Sequence, residues 1–218
     1  MILSIETSTS NLSLTLLINN RVINKVSIQI KNDLSEIIIL TIKKFIKDNS
    51  ITLLNISLLV VGCGPGSFTG IRAVISAAKG IYLSNKHMKV IGINSLAGLA
   101  MSALIEAKNI NVQYIIASID TKRDDLFLQL FRVNSNEKLL PFYAINSVQP
   151  IKIENFNDYI VENKLTNMKF SKELIQIPDA LWVGKLGSCI VNNNINYKNS
   201  KIAYDELKPI YVRSAEIN

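Results

Sequence analysis

The sequence predicts a mixed α/β protein with two halves that divide near residue 110. Up to that point, strand-like apolar runs alternate with helix-like stretches, whereas three strand-like runs in an antiparallel meander follow it. A glycine-rich turn, "GCGPGSFTG" at 62–70, joins one apolar run to a helix. We therefore expect two domains, 1–110 and 111–218, and the last segment of the second could pack back on the first.

The first half begins with three strands. Met1–Ile5 predicts a buried strand, and the alternating run "LSLTLLI" at 12–18 predicts a second. Asn19 and Asn20 predict a two-residue hairpin turn, because asparagine tolerates positive φ. The run 21–30 then returns as a third strand.

Helices and strands alternate after this hairpin. The pattern predicts a helix from residue 35 to Lys47, then a strand, "ISLLVVG", that is apolar enough to be covered on both faces. The glycine turn opens a second helix that reaches about Ser84. A strand at 89–93 follows, and Asn94 or Ser95 caps a third helix that runs to about Lys108.

The second half reads as a meander with a less regular end. Strands are expected at 114–120, 126–133 and 139–148. The polar stretch 149–172 predicts a loop with a short helix. Residues 179–191 predict a short apolar strand that ends at Gly184, followed by a helix.

Composition narrows the class of protein. The apolar runs are too short to cross a bilayer, and no basic region precedes the first of them, so we expect neither a membrane segment nor a signal peptide. Two cysteines without CxxC spacing indicate a reduced, cytoplasmic protein. The net charge of +7 leaves nucleic-acid binding open, although the lysines are scattered along the chain.

The glycine turn departs from known phosphate-binding loops. A P-loop needs a lysine after its last glycine, and here Gly66 is followed by Ser67 and Phe68. A dinucleotide fingerprint needs a glycine in sixth place, where Ser67 stands, and Pro65 removes one N–H donor. An anion site stays open as an alternative use of the turn.

The helices that precede and follow the central strand in the sequence, at about 35–47 and 68–84, carry more apolar surface than a surface helix needs. The apolar arc of the second spans about 220°, against about 100° for a helix that covers one core. One side of it carries a stripe of very small residues, namely Gly70, Ala73, Ala77 and Gly80. Arg72, Ser76 and Lys79 cluster on its remaining side. This surplus predicts a docking face for another chain, unless the two helices cover each other or lie under the second half.

No catalytic set is apparent. The chain has one histidine, His87, too few for a zinc site or a serine triad. Glu6 and Asp120 follow strands, where α/β active sites often lie, whereas Asp124 and Asp125 suit a hairpin turn. We expect no catalytic, cofactor-binding or metal-binding residues.

Several segments together resemble the bacterial TsaB (YeaZ) family. They are "MILSIETSTS" at the start, "GPGSFTGIR" from Gly64, "INSLAGLA", "SIDTKRDDLF" and "KPIYVR" up to Arg213, with a weaker match between about 135 and 200. The resemblance implies two actin-like ATPase-superfamily (ribonuclease H-like) subdomains, each a mixed sheet with flanking helices. The partner-docking helices would belong to the first subdomain, and the second would be smaller and degenerate.

The resemblance also implies a function. Such proteins are non-catalytic scaffold subunits that bind TsaD, with the ATPase TsaE, for threonylcarbamoyl transfer to the adenosine next to the anticodon in tRNAs that read codons beginning with A. They form homodimers through the surface that TsaD uses, and we expect tRNA contact only through the complex. The expected interface residues are Ile38, Ile42, Phe45, Ser67, Phe68, Thr69, Gly70, Ala73, Ala77 and Gly80.

Three departures from related sequences bear on this function. Ser8 occupies the place of a glycine in the superfamily's first phosphate turn, and only Gly184 and Gly187 remain of the adenosine-side glycine pair. Leu34 stands where many family members have histidine.

A working small-molecule kinase or ATPase that uses Glu6 and Asp120 is the alternative function, and a protease has little support.

Overall fold

Two β-sheets and the helices around them make up the described part of the computed structural model, which covers residues 1–30, 34–106, 112–134, 140–163, 165, 168–170, 177–197, 200–204 and 206–213. The elements of the first half are β1 (Ile2–Glu6), β2 (Asn11–Ile18), β3 (Arg21–Gln29), α1 (Leu34–Asp48), β4 (Leu58–Gly62), α2 (Phe68–Ser84), β5 (Lys89–Ile93) and α3 (Ser95–Glu106). Those that follow are β6 (Tyr114–Asp120), β7 (Asp125–Val133), β8 (Phe142–Ala144), β9 (Gln149–Lys152), α4 (Phe156–Glu162), β10 (Met168–Phe170), α5 (Ala180–Asn192) and β11 (Ala203–Tyr204).

The first sheet has the strand order β11-β5-β4-β1-β2-β3. Its central strands β1, β4 and β5 are parallel, and β2, β3 and β11 are antiparallel to their neighbours. Asn19 and Asn20, with φ of 48° and 62°, form the predicted hairpin turn between β2 and β3. Because β11 pairs with β5, residues from near the end of the chain complete this sheet.

Both faces of the first sheet are covered at its centre, as the apolar run in β4 predicts, whereas the edge strand β3 is mostly exposed. Leu59 and Val61 pack under α1 and α2, whereas Leu58 and Val60 face α3 and α5 on the opposite side. The second sheet, β10-β6-β7-β8 with β9 also on β7, contacts the same α3–α5 layer, and α4 covers its outer face. The predicted class, a mixed α/β fold of two sheets with flanking helices, is confirmed.

Residues 180–192 form one helix, so the predicted strand ending at Gly184 is wrong. A short apolar run cannot by itself distinguish a strand from a buried helix. The Asp179 side chain caps this helix by accepting a hydrogen bond from the Leu181 N–H at 2.8 Å. Gly184 and Gly187 bring the helix close to the sheet, since added Cβ atoms would lie 2.5 Å from Ser4 Oγ and 2.7 Å from Val60.

Other boundaries differ less. Strand β9 lies in the stretch that was predicted as loop. It was not predicted because its polar, half-exposed residues and Pro150 give no alternating pattern at this sheet edge. The third meander strand is shorter than predicted. The expected end of α3 near Lys108 and the boundary near 110 lie outside the described residues, so the domain division stays a prediction. None of the described helices has the length and apolar character needed to span a bilayer.

Candidate functional site

The glycine turn closes on the chain's own backbone. The Ser67 N–H donates to the Ser8 carbonyl at 2.7 Å, and a Cβ on Gly66 (φ 149°) would overlap that carbonyl. The Thr7 hydroxyl donates to the Gly70 carbonyl at 2.9 Å, and a Cβ on Gly70 would overlap the Thr7 carbonyl. Gly66 and Gly70 therefore allow the glycine turn to pack against the segment that follows β1. At each glycine, the space that a Cβ would need is taken by a backbone carbonyl of Thr7 or Ser8.

Glu6 is enclosed beneath this turn. Its side chain is 1% exposed, and Oε1 accepts from the Ser8 N–H at 2.6 Å while Oε2 accepts from the Ser95 hydroxyl at 2.8 Å. Gly62 lies directly against the carboxylate, because a Cβ there would overlap it. Burial raises the pKa of Glu6, and burial together with the Glu6 charge raises the pKa of Cys63 to about 12. Burial therefore shifts Glu6 towards its protonated form, and the Cys63 thiol stays neutral at ordinary pH.

The hairpin acids between β6 and β7 are held by neighbouring residues. Asp120 accepts from the Lys122 N–H at 2.8 Å and from its Nζ at 2.7 Å, and these hydrogen bonds lower the pKa of Asp120. Asp125 is hydrogen-bonded by Thr121 and ion-paired with Arg213. Across the described residues, no three His, Cys, Asp or Glu side chains come together as a metal site would require.

An apolar groove of about 710 Å³ runs between α1 and α2. Its lining is mostly aliphatic or small, with two charged side chains, Lys43 and Arg72, both cationic. Seven of the predicted interface residues line it: Ile38, Ile42, Phe68, Thr69, Ala73, Ala77 and Gly80.

The other three predicted residues lie beside the groove. Phe45 is 5% exposed and packs in the core under α1. Ser67 caps α2 by accepting from the Gly70 N–H at 3.2 Å. Gly70 is buried beneath Thr7.

The two helices cover each other only in part. Their most apolar sides pack together over the first sheet, and this packing includes Leu34, which is 5% exposed. Large apolar side chains nevertheless remain exposed on their outer sides: Ile39, Leu40, Phe68, Tyr82 and Leu83. Gly80 has open space where a Cβ would be, so the fold of this chain does not require glycine there.

A second segment of the chain reaches one end of the groove. The Ile210 N–H donates to the Cys63 carbonyl at 2.8 Å, which fixes the segment against the glycine turn. Tyr211 stacks on Phe68 with ring centroids 5.1 Å apart, and the Arg72 Nε donates to the Tyr211 hydroxyl at 2.8 Å. Sequence reasoning assigned Arg72 to the polar side of α2, and no local pattern relates it to a residue 139 positions away.

The chain is similar to known proteins over most of its length. The family model described as "TsaD: tRNA N6-adenosine threonylcarbamoyltransferase" matches residues 23–212. The "tRNA threonylcarbamoyladenosine biosynthesis protein TsaB" of Buchnera aphidicola subsp. Schizaphis graminum is 27% identical over 210 residues, covering 96% of this chain and 90% of that protein. The protein of the same name from Haemophilus influenzae is 25% identical over 198 residues, covering 79% and 77%.

A solved structure shares the fold over nearly the whole chain. "YeaZ from Pseudomonas aeruginosa" superposes with a TM-score of 0.71 at 18% identity, covering 96% of this chain and 98% of that one. The family model covers well over half of the sequence, and the curated relatives carry the TsaB name. The chain therefore belongs to the TsaB (YeaZ) family, within the group that the threonylcarbamoyltransferase model describes.

Proposed function

We propose that this chain is a non-catalytic subunit in the biosynthesis of threonylcarbamoyladenosine in tRNA. It serves as scaffold and activator for a TsaD-like catalytic subunit, and a TsaE-like ATPase joins the assembly. In cells it works in the cytoplasm and meets tRNA only through the complex. The observation that carries this proposal is the apolar groove between α1 and α2, bordered by exposed apolar side chains.

The groove suits a helix from another chain. An amphipathic helix docks by laying its apolar side into such a groove, and small residues let the two backbones approach closely. Ala73, Ala77 and Gly80 provide that access along α2, and Ile38 and Ile42 form part of the apolar floor along α1. Without the catalytic subunit, a second copy of this chain covers the same surface and gives a homodimer.

The surroundings of Glu6 support a non-catalytic role. A kinase or ATPase of this fold would need an acid open to metal and phosphate. Here Gly62, Ser8 and Ser95 enclose the carboxylate, and Asp120 is already paired with Lys122. The enclosure of Glu6 and the pairing of Asp120 with Lys122 both favour the non-catalytic role over a kinase or ATPase.

Co-expression with the TsaD-like subunit of the same organism tests the proposal. Ser76 is exposed and lines the groove, so Ser76→Trp should block the partner and leave the monomer folded. Lys79→Trp is the matched control, since Lys79 is exposed on the same helix but lies outside the groove lining. Ala77 is less suitable, because it is 6% exposed and a larger residue would overpack the core.

The expected result is co-purification of the wild type and Lys79→Trp, and loss of the complex with Ser76→Trp. An intact complex with Ser76→Trp would exclude this groove as the docking site. Turnover of Mg-ATP by the isolated chain would contradict the non-catalytic role.

A further inference from the structure

Arg72 is held in a fixed position at the end of the groove. Its guanidinium lies 4.1 Å from the centroid of the Phe68 ring, and its Nε donates to the Tyr211 hydroxyl. Phe68 and Tyr211 are stacked, so the two rings support each other and the arginine. Because its side chain is already ordered, Arg72 loses less conformational entropy when a partner binds.

The charge of Arg72 has no counter-ion within the described part of the chain. No carboxylate there lies within ion-pair distance of it, and the hydrogen bond to Tyr211 uses Nε only. The other charged residue that lines the groove, Lys43, is also cationic. The groove therefore combines an apolar floor with positive charge and no acidic side chain in its lining.

We infer that Arg72 receives a carboxylate from the chain that docks in the groove, so that the partner helix carries Asp or Glu next to its apolar face. This inference rests on the proposed function and specifies the chemistry of the partner. A guanidinium offers paired N–H donors that match the two oxygens of a carboxylate. Arginine and tyrosine next to a desolvated apolar surface are also the residues that most often dominate binding energy.

The countercharge comes from the catalytic subunit and not from a second copy. Two copies joined through this groove would bring two Arg72 and two Lys43 side chains into one interface. The exposed carboxylate in the first turn of α1, Glu36, is absent from the groove lining. Charge repulsion therefore opposes formation of the homodimer, whereas it does not oppose binding of the catalytic subunit.

Titration calorimetry with the TsaD-like subunit at about 50 mM and about 300 mM NaCl tests this inference. Arg72→Gln is expected to weaken binding by about tenfold or more at the lower salt, as for loss of a hydrogen bond to a charged group. Arg72→Lys should restore only part of the affinity, because lysine lacks the paired donors. Lys79→Gln, with its charge outside the lining, should bind within about twofold of wild type.

Salt dependence separates the ion pair from simple packing. Added salt should weaken the wild-type heterodimer and strengthen the homodimer, and Arg72→Gln should reduce both effects. Unchanged affinity of Arg72→Gln, or weaker binding with unchanged salt dependence, overturns the inference and leaves the proposed function intact. If Glu36→Gln weakens the homodimer as much as Arg72→Gln does, the carboxylate belongs to a second copy, which also overturns it. Failure of the wild type to bind the catalytic subunit overturns both proposals.

Discussion

The hydroxyl of Ser95 donates a hydrogen bond to Oε2 of Glu6 at 2.8 Å, although the two residues are 89 positions apart. The same oxygen of Ser95 accepts from the Gly64 N–H at 3.2 Å, and the Ser95 N–H donates to the Gly64 carbonyl at 2.8 Å. One serine thus joins the end of β1, the glycine turn and the start of α3. The Glu6–Ser95 pair therefore helps to hold these three segments in register.

Glu6→Gln should change how the stability of the protein depends on pH. Because burial raises the pKa of Glu6, the folded state keeps the proton at pH values where the unfolded chain has lost it. Wild-type stability should therefore fall as pH rises from the ordinary value of 4.5 through the raised pKa of the folded state. Glutamine does not titrate, so Glu6→Gln should gain stability relative to wild type across this window.

Urea unfolding at a series of pH values measures the effect. Glu36→Gln is the control, since Glu36 is exposed at the start of α1 and its replacement removes one carboxylate without touching the buried site. If the stabilities of wild type and Glu6→Gln changed with pH in parallel, the pKa of Glu6 would be the same in the folded and unfolded states. That result would contradict the prediction.

Gly66→Ala should destabilise the fold by about 2–4 kcal/mol. The residue has a φ of 149°, and an added methyl group would overlap the Ser8 carbonyl. The strain falls on the backbone contact that closes the glycine turn, so the neighbouring segments must separate. Denaturant unfolding measures the loss, and a change below about 0.5 kcal/mol would mean that the turn tolerates a side chain.

Gly80→Ala should have the opposite effect on the isolated chain. Gly80 lies within α2 with no atom near the position of a Cβ, so alanine should stabilise the helix by about 0.5–1 kcal/mol. If Gly80 admits a partner helix, the same change should weaken binding of the TsaD-like subunit. Melting curves and calorimetry on one preparation test both parts, and unchanged affinity would remove Gly80 from the interface.

Ser67→Ala should cost about 1 kcal/mol of stability, because its side chain caps α2 through the Gly70 N–H. Thr69 is exposed inside the first turn and does not serve as the cap, so Thr69→Ala provides the matched comparison. Equal losses for the two variants would argue against the capping assignment.

Local patterns predicted much of the fold. Alternating side chains identified β2, the asparagine pair identified its turn, and the uniformly apolar run identified β4 as a strand with both faces covered. These features depend on neighbours in sequence. The edge strands β9, β10 and β11 were missed because an edge strand needs little alternation. The first part of helix α5 was predicted as a strand because a short apolar run is compatible with either element.

The candidate site was less predictable. Helical periodicity showed that α1 and α2 carry excess apolar surface, but it could not tell which apolar side faces the sheet. Phe45, Ile38 and Ile42 all belong to the same core, but only Ile38 and Ile42 also line the groove. The place of Phe45 in the interface stays a prediction. The contact between Arg72 and Tyr211 depends on how the chain returns to the first sheet, and no local rule predicts that path.

The hydrogen bond from Ile210 to Cys63 has a consequence for synthesis on the ribosome. Strand β11 and this contact are supplied by residues made about 150 positions after the glycine turn, or about 7 to 30 seconds later at ordinary translation rates. Until then the nascent first sheet lacks an edge strand, and the apolar groove has no aromatic stack at its end. A partner that reached the groove during translation would therefore meet Phe68 and Arg72 without the Tyr211 side chain that contacts both of them.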